Sequence, residues 1–102
     1  MRVLFAQPNY QHERQSRGET WSVNPPIGLA YIAALLEQRS IPVEILDANA
    51  LNLTEADVVA HVHANKPDIV GISLLTPAHT YAANIAQAIN NECLTVAGGP
   101  HA

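Results

Sequence analysis

Short apolar runs along this chain alternate with longer stretches in which apolar residues recur every three or four positions, a pattern that predicts strands separated by helices. The first run, Arg2 to Ala6, is closed by Gln7-Pro8-Asn9 and reads as a buried strand ending in a loop. Sixteen mostly polar residues then run from Asn9 to Asn24, a connection long enough in a compact domain to be functional or mobile. Asn24-Pro25-Pro26 opens a helix, because the first turn makes no use of the N–H that proline lacks. Ile27, Tyr31 and Leu35 recur every four residues with Ala30 and Ala34 beside them, the stripe of an amphipathic helix reaching to about Arg39.

Val43 to Leu46 is the second strand, closed by Asp47-Ala48-Asn49. Thr54 and Asp57 have the spacing of a capping box, and Val58, Val59 and Val62 follow at helical intervals until Lys66-Pro67. Asp68 to Leu75 is a nearly continuous apolar run, as expected of a central parallel strand covered on both faces. Thr76-Pro77 opens a third helix with Ala78, Ala82, Ile85 and Ile89 facing inwards, and Leu94 to Ala97 is a fourth strand before Gly98-Gly99-Pro100-His101-Ala102. The order βαβαβαβ implies a parallel sheet with right-handed crossovers and helices on both faces. Ligands of such sheets sit beyond the carboxyl ends of the strands, where the loops after strands one, three and four emerge.

Composition narrows the function. The chain has 102 residues, 48% of them hydrophobic and 14% charged, enough for one globular domain. A net charge of -4 with five Lys and Arg offers no basic face to nucleic acid. No apolar run approaches the ~20 residues of a bilayer span. A single cysteine, Cys93, excludes an internal disulfide and any cluster needing three thiolates from this chain. A cytoplasmic domain is expected.

Four features converge on the carboxyl edge. Gly98-Gly99 lets a ligand approach backbone closely, or simply turns the chain. Ser73 and Thr76 offer hydroxyls, although Thr76 is equally suited to cap the helix that follows. The loop from Gln7 to Asn24 carries Asn9, His12 and Trp21, the last suited to stack on a flat ligand or to cover the core. Asp47 ends the second strand where dinucleotide folds place a ribose-binding acid, but the first turn lacks G-x-G-x-x-G. His79 and His101 lie near the same edge and can donate to a ligand. His61 and His63, two apart on a helix, point in different directions and cannot chelate one metal together. Cys93 lies at the far end of the sheet and reads as a buried structural thiol.

Pro25-Pro26-Ile27-Gly28-Leu29-Ala30-Tyr31, Asp68 to Ser73, and Gly98-Gly99-Pro100-His101-Ala102 occur in this order. The ordered set resembles the cobalamin-binding (corrinoid-binding) domain fused to radical S-adenosylmethionine enzymes. The anaerobic magnesium-protoporphyrin monomethyl ester cyclase group and its methyltransferase relatives belong there. The resemblance covers nearly the whole chain.

That resemblance implies a three-layer α/β sandwich, flavodoxin-like, with a parallel sheet in the order 2-1-3-4. It implies that Ser73, Leu75 and Thr76 line the slot for the cofactor's nucleotide tail. Gly98, Gly99 and Pro100, with His101 next to them, would admit its ribose and benzimidazole. The loop from Pro8 to Trp21 would lie beneath the corrin ring. Many family members carry a cobalt-ligating histidine in D-x-H-x-x-G after the first strand, whereas this chain has Asn9 at that place and His12 three residues on. Members of the radical branch commonly lack that histidine, which implies cobalamin held base-off with no histidine below the metal. The iron–sulfur cluster and S-adenosylmethionine would belong to another domain, so this chain is expected to be an N-terminal fragment of a longer enzyme, without turnover of its own. Its fourth strand would then be an edge able to pair with a second copy. A flavin- or nucleotide-binding domain and a ligand-free docking module are the alternative readings.

Overall fold

A computed structural model describes residues 1–9, 27–73 and 79–98. Among them the chain forms β1 (Val3–Gln7), α1 (Ile27–Gln38), β2 (Val43–Asp47), α2 (Glu55–Asn65), β3 (Ile69–Ser73), α3 (His79–Ile89) and β4 (Leu94–Gly98). The four strands make one parallel sheet in the order β2-β1-β3-β4, as expected. β1 starts one residue later than its apolar run, because the Arg2 amide donates to the Asp68 carboxylate at 2.7 Å.

Alternation along each strand divides the sheet into two faces. Leu4, Ala6, Leu46, Val70 and Ile72 point one way and form the core with Val58 and Val62 of α2 and Ala82, Ile85 and Ile89 of α3. Each fully buried Val, Leu or Ile side chain there contributes about 1.5–3 kcal/mol. α2 begins as its sequence requires. The Asp57 amide donates to the Thr54 hydroxyl at 3.1 Å and the Thr54 amide donates to the Asp57 carboxylate at 3.0 Å. It ends at Lys66, whose backbone takes the left-handed conformation at φ 49° and donates to the Val62 carbonyl.

The opposite face carries Val3, Phe5 and Gln7, with α1 laid over it as a third layer. Here one expectation is corrected. The stripe of Ile27, Tyr31 and Leu35 does not face the sheet: Ile27 is 74% and Tyr31 70% exposed. Ala33 is buried instead, with Leu29 and Leu36 half-buried on the same side of the helix. The reason is compositional. α1 is apolar almost all round, so periodicity offers several stripes, and the small Ala33 permits the closest approach to β-branched residues of the sheet.

Cys93 is corrected in degree. It sits at the amino end of β4, as expected, but is only partly buried, with its Sγ 3.8 Å from the Ile89 carbonyl oxygen. β4 is an edge of the sheet, and most of its residues are exposed.

Candidate functional site

The α1 face holds a cavity of about 430 Å³ that opens towards the carboxyl ends of the strands. Its construction follows from the strand register. Ser73 pairs with Gly98, and one strand over, Gln7 lies at the end of β1, so these three form a layer at the carboxyl edge. Two residues deeper along each strand, Phe5 pairs with Gly71 and Gly71 with Val96, forming a second layer. Gly28, Leu29 and Ile32 of α1 form the roof. A cavity of this size falls within the ~300–1,000 Å³ usual for small-molecule sites.

Two glycines act differently here. A Cβ at Gly71 would stand 2.7 Å from the Phe5 ring, so the bare backbone is what lets that ring lie flat across β3. A Cβ at Gly98 would meet nothing within 4 Å, so the backbone there faces open space in the mouth. Of the described residues lining the cavity, Gln7 and Ser73 alone have polar side chains, and none is charged. The deeper layer is wholly apolar.

The sequence candidates divide accordingly. Ser73 and Gly98 come together at the mouth of this cavity. Pro8 is fully buried just beyond β1 and sets the exit of the chain. Asn9 turns to the other side of the sheet, where its Nδ2 donates to Asn52 Oδ1 at 2.9 Å and to the Leu53 carbonyl at 3.1 Å. Leu75, Thr76, Gly99, Pro100 and His101 lie outside the described residues, as do His12 and Trp21. Asp47 spends its carboxylate on the turn after β2, accepting from the Ala50 amide at 3.0 Å. His61 and His63 diverge as expected, but each has an acid beside it: Glu44 at 2.9 Å and Glu92 at 2.6 Å. Among the described residues no cluster of His, Cys, Asp and Glu could hold a metal ion, and no helix is long and apolar enough to cross a membrane.

Sequence reasoning missed Phe5, Gly71 and Val96 as site residues. The signal was present, since Gly71 and Val96 lie two residues before Ser73 and Gly98 and therefore share their face.

A second concavity lies beside Asn9, Thr54, Glu55 and Tyr81. The Tyr81 hydroxyl donates to the Leu53 carbonyl at 2.8 Å. Burial, followed by the charges of Glu55 and Asp57, pushes this phenol up to about 12. Burial likewise raises the Cys93 thiol, which disfavours the reactive thiolate.

Comparison with known proteins fits this arrangement. A family model described as the B12 binding domain matches residues 18–102. The chain is 40% identical, over 99% of its length, to an uncharacterized methyltransferase of Pyrococcus horikoshii, of which it covers 22%. It is 37% identical, again over 99% of its length, to the anaerobic magnesium-protoporphyrin IX monomethyl ester cyclase of Rubrivivax gelatinosus, of which it covers 18%. It is 31% identical over 76% of its length to the cytidylyl-2-hydroxyethylphosphonate methyltransferase of Streptomyces wedmorensis, covering 18% of that protein. The chain thus spans about a fifth of the length of these curated relatives. No solved structure gives a significant match. With the four-stranded parallel sheet and the family match over most of its residues, the chain belongs to the B12-binding domain family.

Proposed function

We propose that the chain holds cobalamin, with the nucleotide tail lying in the cavity between the sheet and α1. The observation that carries this reading is the stacking of Ser73 and Gly98 at the mouth of a neutral, apolar-floored slot. Three features of the slot fit such a group. Its volume suits a nucleotide-sized fragment, Gly98 leaves the mouth open to backbone approach, and the uncharged lining suits a neutral aromatic base. In this reading Ser73, Leu75 and Thr76 line the slot, Gly98, Gly99 and Pro100 admit the ribose, and His101 donates near the mouth. The loop from Pro8 to Trp21 lies beneath the corrin ring.

The cofactor is held base-off, without a histidine under the metal. The occupation of the Asn9 amide by Asn52 and Leu53 supports this, because a side chain so engaged is not presented to a metal. Bound cobalamin supplies cobalt as a carrier of alkyl groups and electrons. This chain's residues bind and orient it, and the chemistry belongs to a radical S-adenosylmethionine domain with its iron–sulfur cluster, in a longer cytoplasmic cyclase or methyltransferase. The methyltransferase and cyclase names of the relatives and their greater length support a longer parent enzyme of that kind.

The test is a titration with hydroxocobalamin followed by desalting and visible absorbance. Retained colour with a base-off spectrum is expected from the chain, and its loss from Gly98→Trp, whose indole would fill the mouth. A wild-type chain that retains nothing overturns the reading.

A further inference from the structure

The outward side of α1 carries an apolar stripe. Ile27, Tyr31 and Leu35 stand about one turn apart and are 74%, 70% and 45% exposed. The sequence has no charged residue from Trp21 to Leu36, so nothing on the helix before Glu37 interrupts that surface. Resting on the longer parent enzyme just proposed, we propose that this stripe is the docking surface for its radical S-adenosylmethionine domain. That domain would meet it with an uncharged, apolar surface of its own.

Length and position favour this occupant. The relatives are about five times as long as the stretch they share with this chain, so most of each such polypeptide lies outside the shared domain. α1 begins at the carboxyl edge, where Gly28 borders the cavity with Ser73 and Gly98. Leu35 lies seven residues further along, roughly 10 Å down the helix. A domain seated on Ile27 and Tyr31 therefore stands beside the edge at which the cofactor is proposed to bind, as a domain acting on that cofactor must.

Size and charge disfavour the other occupants. One side of a helix of 12 residues, about 18 Å long, falls well short of the ~800 Å² per partner of an ordinary stable complex, which a second copy would need. A domain on the same polypeptide is held nearby at roughly millimolar effective concentration, so a small face suffices for it. Helices that lie in a lipid interface carry Lys and Arg on their polar side, and α1 has neither.

Hydroxyl-radical footprinting, read by mass spectrometry, compares this chain with the native polypeptide that carries it. Tyr31 and Leu35 should be oxidised at least about fivefold more slowly in the native polypeptide, because the middle of an interface excludes water. Tyr31→Asp should return Leu35 there to the rate seen in the chain alone, while the urea midpoint of the chain itself stays unchanged. A photocrosslinking phenylalanine at position 31 should join α1 to the domain that binds the iron–sulfur cluster. Equal oxidation of Tyr31 in both proteins, or a crosslink to any other segment, would overturn the docking. So would protection seen only in a species of doubled mass, or only with phosphatidylglycerol vesicles. Hydroxocobalamin retention on the same samples separates the two readings. Retained cobalamin with an open Tyr31 overturns the docking alone, and a protected Tyr31 without retained cobalamin overturns the cofactor reading alone.

Discussion

The two faces of the sheet are made from alternate residues of the same strands, yet among the described residues α2 and α3 close one of them and α1 leaves the other partly open. On the closed face Leu4, Val70, Val58, Ile85 and Ile89 are fully or almost fully buried. On the open face Phe5, Gly71 and Val96 border a cavity, and Val96 is 50% exposed. The helices differ in the same sense. α2 and α3 put their valines and isoleucines inwards, with residues such as His63 and Asn84 outside, whereas α1 carries apolar residues on both its inner and outer sides. In the proposed reading, stability and binding therefore fall on opposite surfaces of one sheet. A change on the closed face should register in unfolding, and a change on the open face in ligand affinity.

The strongest separation should come from Ile85→Ala. Deleting a fully buried side chain costs about 2–5 kcal/mol, which urea denaturation would report as a lower midpoint with an unchanged slope. The orientation of α1 offers a test of nearly equal size. Ala33→Asp places a charge against the sheet and should cost more than about 2 kcal/mol, while Tyr31→Asp on the outward side should stay within roughly 0.5 kcal/mol. Equal effects at the two positions would contradict the packing described.

Gly71→Val couples the faces. The new side chain must push the Phe5 ring out of place, with overpacking worth about 1–3 kcal/mol and a smaller cavity beneath α1. Denaturation and corrinoid titration should therefore both respond. Removing the α2 cap by Thr54→Ala should cost about 1 kcal/mol and leave corrinoid binding untouched, because the cap belongs to the closed face.

Tyr81 gives the smallest effect, with a definite pH dependence. The fold raises this phenol from 10.0 to about 12, so the native state favours the neutral form. Its contribution is complete below pH 10 and is lost as pH rises through 12. For a half-buried group screened by solvent that is about 1 kcal/mol. Tyr81→Phe should remove a tyrosinate that appears near pH 12 in an ultraviolet titration, and with it the hydrogen bond to Leu53.

Much of this division was legible in the sequence, for local reasons. The run from Asp68 to Leu75 has too few polar residues for any strand with a wet face, which put β3 in the middle. Thr54 and Asp57 announced the start of α2 because a capping box is a contact between near neighbours. What was not legible depended on distant pairing. Gly71 is needed by Phe5, 66 residues earlier, and only the register places one over the other. Asn9 finds Asn52 across 43 residues, so its engagement on the far side of the sheet has no local signature. The inner stripe of α1 was hidden for a different reason. When nearly every position is apolar, the pattern carries no phase.

The most direct test of the central claim is to follow backbone amide resonances as diamagnetic cobalt(III) hydroxocobalamin is added. Shifts are expected at Gly28, Gly71, Ser73, Val96 and Gly98, with Val58, Val62, Ile85 and Ile89 on the closed face unmoved. Shifts centred on α2 and α3, or saturation by cobalamin without perturbation at Gly71 and Gly98, would contradict it.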